Sequence, residues 1–560
     1  MKITEKVWLR VILLVAVILR FANLTVSDIK NDSALYSVRA LGWFDYLGGG
    51  QTAPIQWFKT IPGWANLSFH DCPPLVFFIQ KLFFLIFGDN TFAVRLPFAL
   101  AGVITVLIIY YAVKCFRPGR VALWSAGLLS ISSYAVWASR AGYLEGVEVL
   151  FITLSLWFFI RYLTEGKDKN LYWWALAVGL AFMSKYTSVF LLPVGLICLV
   201  AFEYKTLKAQ WKKIVYSLLI FLGTISPVVI YNILVLKYRG HLDASLSAMV
   251  GLHPQDFSVI ASRAVNANIV DNFFALAGCF FNSTSIVLIV ACLLALVYLV
   301  FKIIRRRAVR AEIFIFINIL AAWLMFCFGV PAIRQVSIMV PFFLIILAIA
   351  LGDLGDYLKD KKFKVLNYIL LILLTVVMAA ELFYSLNTNL LDNPLGQEPW
   401  LRSSQRLESD GWNELEDYWR ANLLPSLPQK KKIKRLEDMS LSGTDFSGKN
   451  VVFYDDNVNW FAFMWYIEKY PLYYRFPFLP VSYLLSQPQA LEQFKQLGAK
   501  DFYYVSTHSS RVTDPVTSNN QELMEAIKQF NLKLDEAQAG FSEIKNHGGE
   551  ETFRVYKLPY

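Results

Sequence analysis

VWLRVILLVAVILRFANLTVSDIKNDSALY, residues 7–36, decides the fold. Its first part, Val7–Leu24, is apolar apart from Arg10, Arg20 and Asn23, and is long enough to cross a hydrocarbon layer of ~30 Å at ~1.5 Å per residue. A polar segment follows at once and carries the carboxylate of Asp32 just past the boundary. The residues before Val7 are basic and no small-residue cleavage pattern follows, so the segment reads as a retained signal-anchor. Two questions follow: what the rest of the chain does with a first crossing, and what an acid beyond it acts on.

The composition answers the first. The 560 residues are 56% hydrophobic and only 17% charged, with a mean hydropathy of +0.46, too few charges for a surface that faces only water. Apolar runs recur at Thr91–Val113, Val121–Ala138, Gly146–Leu163, twice within Leu171–Phe202, and at Ile214–Leu236, Phe273–Phe301, Glu312–Val330, Val336–Leu351 and Val365–Leu386. With Val7–Leu24 they make about eleven spans. Basic clusters between them, from Lys114/Arg117/Arg120 to Lys359/Lys361/Lys362/Lys364, all fall on the cytoplasmic side if the basic N-terminus is inside. The net charge of +11 is therefore loop charge and does not indicate nucleic acid. Two decisions keep that parity. Pro74–Phe87 is too short to cross and lies against the outer leaflet as an interfacial helix. Leu171–Phe202, basic at both ends, crosses twice and turns near Ser184–Tyr186.

The expected architecture is a polytopic α-helical membrane protein. A membrane domain spans 1–386, with outer loops that include a first loop at 25–90, and a soluble extracytoplasmic α/β domain spans 387–560. In the tail, KNVVFYDD (449–456), PQALEQFKQLGAKDFYYVS (488–506), QELMEAIKQFNLKL (521–534) and ETFRVYKLPY (551–560) read as strand, helix, strand, helix, strand. Six cysteines without CxxC spacing give neither a disulfide framework nor a zinc site. Their absence after residue 387 favours a prokaryotic plasma (inner) membrane.

The outer segments gather the polar chemistry: Asp32 in NDSALY, His70 and Asp71 in FHDCPPL, Arg140 and Glu145 in SRAGYLEG, Lys185 in AFMSKYTS and Arg334 in PAIRQVS. Each has a plain reading: a helix cap for Asp32, His70 and Asp71, loop polarity for Arg140 and Glu145, snorkelling for Lys185 and Arg334. A charge at span depth costs about 2.5–3.5 kcal/mol, however, so it normally has a partner or a function. Carboxylates and cations together at a membrane surface suit sugar transfer from a lipid phosphate. The leaving group is an anion that Arg or Lys stabilises. The acceptor hydroxyl needs a carboxylate base, and displacement from the opposite face inverts the anomeric carbon.

These segments resemble the GT-C fold glycosyltransferases, in the branch of protein O-mannosyltransferases and lipid A aminoarabinose transferases. Asp32-Ser33-Ala34-Leu35-Tyr36, HDCPPL, FGDNTFAVRLP (87–97), Arg140 with Glu145 five residues on, and GLAFMSK (179–185) follow the branch's motifs in order over the first ~200 residues. The resemblance implies that Asp32 is the catalytic base, that Lys185, Arg140 and Arg334 bind the donor phosphate, and that Glu145, with Asp71, His70 and Tyr36, occupies the second acidic and acceptor positions. Ser33 stands where the branch usually has Glu, and Cys72 where it has His or Lys before Pro-Pro. No cofactor is required. A divalent ion, if one binds, would sit near Asp71 and Glu145.

The expected activity is transfer of a sugar from a polyprenyl-phosphate donor to a hydroxyl on a protein, glycolipid or polysaccharide, at the extracytoplasmic face. The alternatives are a multi-pass transporter or lipid flippase, which would carry its ionisable residues at mid-span, and a non-catalytic envelope-assembly protein.

Overall fold

The computed structural model describes residues 3–44, 69–204, 207–252, 254, 268–329, 331–424, 427–433, 446–487, 489–514 and 521–559. Helix α1 (Ile3–Phe21) leads through a loop to α2 (Asn31–Gly42), the short apolar α3 (Leu75–Phe87) and then α4 (Thr91–Lys114). The stretch read as the span Val121–Ala138 is two helices, α5 (Gly119–Ile131) and α6 (Ser133–Arg140), bent by 58°. Next come α7 (Glu145–Glu165), α8 (Asp168–Ser184), a 3-10 turn at Tyr186–Phe190, α9 (Leu191–Glu203), α10 (Leu207–Arg239) and α11 (Ala244–Met249). The turn after Ser184 is where the sequence required it. Phe273–Phe301, read as one span, divides into α12 (Ile269–Phe281) and α13 (Ile286–Ile304). The bundle closes with α14 (Arg310–Cys327), α15 (Val336–Asp360) and α16 (Lys364–Asn389).

Among the described residues, eight helices are long and apolar enough to cross a membrane, nine with the bent pair as one. Helix α1, which carries Glu5, Lys6, Arg10 and Arg20, and the 17-residue α8 fall outside that count; the sequence reading takes both as spans to reach about eleven. Both unexpected breaks meet one acid. Glu381, buried in α16, accepts from Ser133 N at 2.7 Å, Ser285 N at 3.1 Å, Ser285 Oγ at 2.5 Å and Thr284 Oγ1 at 2.8 Å. One carboxylate thus satisfies backbone N–H groups at the start of α6 and beside α13, donors a helix cannot satisfy itself. At the opposite end of the bundle, Lys302 donates to Glu312 (2.8 Å) and Asp353 (2.7 Å), and Arg117 donates to the same two acids, tying α13, α14, α15 and the loop after α4 together.

The tail carries a longer sheet than its three legible strands. Strands β1 (Val451–Tyr454), β2 (Phe478–Pro480), β3 (Phe502–Thr507), β4 (Phe541–Lys545) and β5 (Glu551–Lys557) are ordered β2-β1-β3-β5-β4. The first three are parallel and β5 runs antiparallel to its neighbours. Alternation along β1 and β3 gives each strand two buried faces. Val451, Phe453 and Tyr504 pack under Phe494, Ile527 and Leu534, whereas Val452 and Val505 face Trp465, Tyr470 and the membrane domain.

The tail is bolted to the loop between α1 and α2. Asp28 accepts from the backbone N–H groups of Asp410 (2.6 Å), Trp412 (3.3 Å) and Asn413 (2.9 Å). It thereby caps α17 (Trp412–Asn422), whose own N-cap, Gly411, has no side chain. Burial pushes the Asp28 carboxyl up, to about 7, against the pull of the Asp410 and Asn413 N–H groups. Lys30 pairs with Asp410, Tyr466 donates its hydroxyl to Asn413 and accepts from Ile29 N at 2.9 Å, and Tyr473 donates to Val38 O at 2.8 Å.

Candidate active site

Helix α2 places Asp32 in its first turn and Tyr36 one turn later, so both point the same way. Asp32 does not cap the helix: Lys30 is the N-cap residue and forms no side-chain cap bond. The carboxylate instead meets Arg334, from the 3-10 turn Ile333–Gln335 before α15, and Tyr36 donates to it at 3.3 Å. Arg334 Nε lies 3.9 Å from Glu145 Oε1, at the first residue of α7, and Lys185 at the end of α8 donates to that same oxygen. The four groups form a chain of alternating sign, Asp32–Arg334–Glu145–Lys185, drawn from four separated segments. Glu145 is 3% exposed, while Asp32, Lys185 and Arg334 retain 18%, 20% and 24%, so Glu145 alone of the four is shut from solvent.

Neighbours hold this chain in place. The Arg334 guanidinium sits 5.6 Å above the Tyr143 ring, and Ser337 Oγ donates to Arg334 O at 2.6 Å. Tyr134 hydrogen-bonds Ile333 O. Glu148, one turn beyond Glu145, accepts from Thr187 Oγ1 and Ser188 Oγ, both at 2.6 Å, and so fixes the turn that presents Lys185. Burial first, and then the Asp32 carboxylate, push the Tyr36 hydroxyl well above its usual range, so it stays a proton donor.

His70 and Asp71 form a second group. Arg39, also on α2, donates to Asp71 at 2.8 Å and lies 3.4 Å from His70 Nε2. Burial would raise the Asp71 carboxyl, but the charges of Arg39 and His70 and the Arg39 hydrogen bond outweigh it and hold it well below the carboxylate range. Neither residue caps α3, whose N-cap is Pro74. Their backbones instead seat α11: Ala244 N donates to His70 O at 2.8 Å and Ser245 Oγ to Asp71 O at 2.5 Å.

Arg140 stands apart. Its guanidinium donates to Leu19 O (3.1 Å), Ala22 O (2.6 Å) and Asn23 O (3.2 Å), at the end of α1. The expected cations Lys185 and Arg334 therefore share Glu145, and Arg140 does not join them. Asp71 and Glu145, the acids named for a divalent ion, are each bonded to a cationic side chain. Among the described residues no group of three or more His, Cys, Asp or Glu could hold a metal.

Sequence reading passed over Arg39, Tyr143 and Glu148. Arg39 lies about two helical turns after Asp32 on the same face, and Glu148 one turn after Glu145, so both spacings were available. Tyr143 carries no such signal.

Comparison with known proteins places this geometry. Residues 71–231 match the family of dolichyl-phosphate-mannose-protein mannosyltransferases. A putative mannosyltransferase, YycA, of Bacillus subtilis is 32% identical over 157 residues, 27% of this chain and 22% of the relative. An undecaprenyl phosphate-alpha-4-amino-4-deoxy-L-arabinose arabinosyl transferase of Pseudomonas fluorescens is 34% identical over 170 residues, 29% of each chain. The chain thus matches under a third of the length of these curated relatives. ArnT from Cupriavidus metallidurans, solved with undecaprenyl phosphate, superposes with a TM-score of 0.52 over 98% of both chains at 13% identity. The oligosaccharyltransferase AglB from Archaeoglobus fulgidus, solved with an inhibitory peptide and a dolichol-phosphate, gives 0.51 over 98% of this chain and 74% of its own, at 14% identity. The fold is the GT-C fold.

Proposed function

We propose that the protein is a membrane glycosyltransferase that moves a sugar from a polyprenyl-phosphate donor to a hydroxyl acceptor at the extracytoplasmic face, with inversion and with Asp32 as general base. The observation that carries this reading is the alternating chain Asp32–Arg334–Glu145–Lys185. Without donor, each carboxylate is held by a cation. The donor phosphate is a diester of one negative charge, to which Arg334 offers a bidentate fork; the polyprenyl phosphate that leaves is a monoester of about two charges, which competes for Arg334 and Lys185 more strongly than a carboxylate of one. Bound between the two cations, the donor phosphate shares Arg334 with Asp32 and frees a carboxylate oxygen to accept the proton of the acceptor hydroxyl, and its hold on both cations grows as the leaving phosphate gains its second charge. As the bond from anomeric carbon to phosphate breaks, negative charge grows on the bridging oxygen, where the two cations already sit. Glu145, buried behind Arg334 and Lys185, keeps both in place between turnovers. Tyr36 orients the base through its hydrogen bond.

The family match over residues 71–231 and the GT-C fold support a lipid-phosphate donor. The clustering of basic loops at the helix ends away from Asp32 supports the extracytoplasmic face. Acceptor and sugar classes are those expected from sequence: a protein, glycolipid or polysaccharide hydroxyl. The test is purified protein in lipid nanodiscs, incubated with a panel of polyprenyl-phosphate sugars and cell-envelope acceptors, with product stereochemistry read by NMR. Asp32→Asn abolishes transfer and keeps donor binding. Retention of configuration at the anomeric carbon would remove the single-displacement mechanism.

A further inference from the structure

Three arginines in the membrane domain are buried without a carboxylate. Arg20, Arg95 and Arg140 are 1%, 1% and 2% exposed, and none forms an ion pair among the described residues. All their acceptors are neutral. Arg20 donates to Ala16 O, Leu129 O and Ser130 O, Arg95 to Leu24 O, Asp28 O and both oxygens of Ser27, and Arg140 to three carbonyls at the end of α1. In each guanidinium Nε is shut from water and takes no hydrogen bond. Arg20 and Arg95 act on Arg140 as like charges.

The plain explanation is that these residues cap a helix. The C-terminal end of α1 presents roughly half a negative charge, which favours one nearby cation but does not balance three. The nearest acid acting on Arg95 is Asp28, whose oxygens are taken by the backbone of α17. A buried charge without a counter-charge is costly, and hydrogen bonds to carbonyls recover only part of that cost.

Arg140 opens onto a cavity of about 420 Å³. Its wall comes from the end of α1, the segment after α16 and the C-terminal domain, and it brings Arg402, Arg406, Arg511 and His547 to the same space. Two acids on this wall are matched by cations, Glu408 with Arg406 (3.5 Å) and Glu550 with Arg511 (3.2 Å), and Asp392 lies 3.2 Å from His547. Arg402 pairs with Glu398. Once the Arg–Glu pairs cancel, the remaining acid on the wall, Asp392, faces Arg140 and the two arginines behind it, so the cavity keeps an excess of positive charge. Arg406 is oriented by the carbonyls of Leu391 and Asp392, both at 3.0 Å.

We propose that this cavity, at the seam between the membrane domain and the C-terminal domain, is a binding site for a phosphate-bearing ligand, with Arg140 and Arg406 as its principal contacts and Arg511 at its rim. The site is separate from the Lys185–Arg334 pair and does not depend on the transfer reading. An oxyanion with two charges supplies the missing counter-charge at the cavity face of this arginine cluster.

The test measures binding to the full-length protein by calorimetry, in neutral phosphatidylcholine nanodiscs, with inorganic phosphate and glycerol-1-phosphate as probes. In a separate arm, the unfolding midpoint is compared between phosphatidylcholine and phosphatidylglycerol nanodiscs. Each arm is repeated with Arg406→Gln, Arg511→Gln and Lys185→Gln. The expected result is saturable binding in at least one arm that survives Lys185→Gln and weakens about tenfold in Arg406→Gln. Binding of the free phosphates identifies a soluble source, and stabilisation by phosphatidylglycerol alone identifies a lipid headgroup. Arg140→Gln also removes a contact to α1, so the rim variants carry the argument. No saturable effect in either arm, or one lost in Lys185→Gln and intact in Arg406→Gln and Arg511→Gln, overturns the proposal.

Discussion

Replacing Asp32 by Asn separates two effects that a merely structural acid would not separate. In the donor-free state Arg334 is held on one side by Asp32 and lies 3.9 Å from Glu145 on the other. Both partners of the Asp32–Arg334 pair are about a fifth exposed, so the pair is neither a screened surface contact nor a fully desolvated one. Surface pairs contribute up to about 1 kcal/mol and desolvated pairs more, which puts this one near 1.4 kcal/mol, or about tenfold in an equilibrium constant. A phosphate that must take Arg334 from Asp32 works against that amount. In Asp32→Asn it no longer does, so polyprenyl phosphate should bind as tightly as in the wild type or up to about tenfold tighter. Turnover should move the other way, by about 10²–10⁴, the range for losing a positioned general base. The assay pairs calorimetric titration of polyprenyl phosphate with transfer measured on the same nanodisc preparation. Weaker phosphate binding in Asp32→Asn would show that the carboxylate does not compete for Arg334, and near-wild-type turnover would show that it is not the base.

Other perturbations follow from the same contacts. Lys185→Gln takes from the buried Glu145 its hydrogen-bonded cation and leaves Arg334 at 3.9 Å, so it should lower stability by ~1–3 kcal/mol, whereas Lys185→Gln with Glu145→Gln should recover most of it; an unfolding series in denaturant compares the two. Asp28 holds its proton up to about pH 7 when folded but releases it near pH 4 when unfolded. The folded state therefore binds more protons between those values, and stability falls as pH rises through that window. Asp28→Asn, which keeps an acceptor for the α17 N–H groups, should gain in unfolding midpoint relative to the wild type from pH 5 to pH 8; a relative loss refutes it. A Cβ on Gly42 would lie 2.0 Å from the Tyr473 ring, so Gly42→Ala should loosen the C-terminal domain, read as faster proteolysis at its junction with α16 while the transmembrane helices stay protected.

Hydropathy located the spans because each needs about twenty apolar residues, a condition local to the chain. It did not locate the breaks. Ser132 and Ser133 sit in an apolar run without Pro, whose one Gly, Gly127, lies inside α5 and not at the break; the acid that meets the break is Glu381, some 250 residues away. The break before α13 did have a local sign in Asn282-Ser-Thr-Ser285, with Ser285 as N-cap, but the apolar content on both sides hid it. In the tail, β2 is three residues ending in proline and β4 is mostly exposed, so neither shows the alternation that marked β1, β3 and β5. The site was legible to the extent that charge in apolar surroundings signals a partner. Asp32, Glu145, Lys185 and Arg334 were found that way and are brought together. Arg140 had the same signature, yet its partners are carbonyls at the end of α1, because charge alone does not distinguish a ligand contact from a helix cap.

The C-terminal domain has a physical role that follows from where it is attached. An acid at the start of a short helix after a loop would move with that loop, since α2 has only twelve residues and no side-chain cap. The contacts from the tail fall on the segment that carries Asp32. Asp28 and Lys30 engage the start of α17, Tyr466 takes the N–H of Ile29, and Tyr473 takes the carbonyl of Val38 and covers Gly42. Helix α2 is thus gripped before its first turn and along its last, with Asp32 between. A base must be held within a fraction of an ångström of its working position. The membrane domain alone provides Arg334 on one side of Asp32, and a donor phosphate would compete for that contact. In the donor-bound state of the proposed reaction, then, the position of Asp32 would rest on Tyr36 and on the grip of the C-terminal domain.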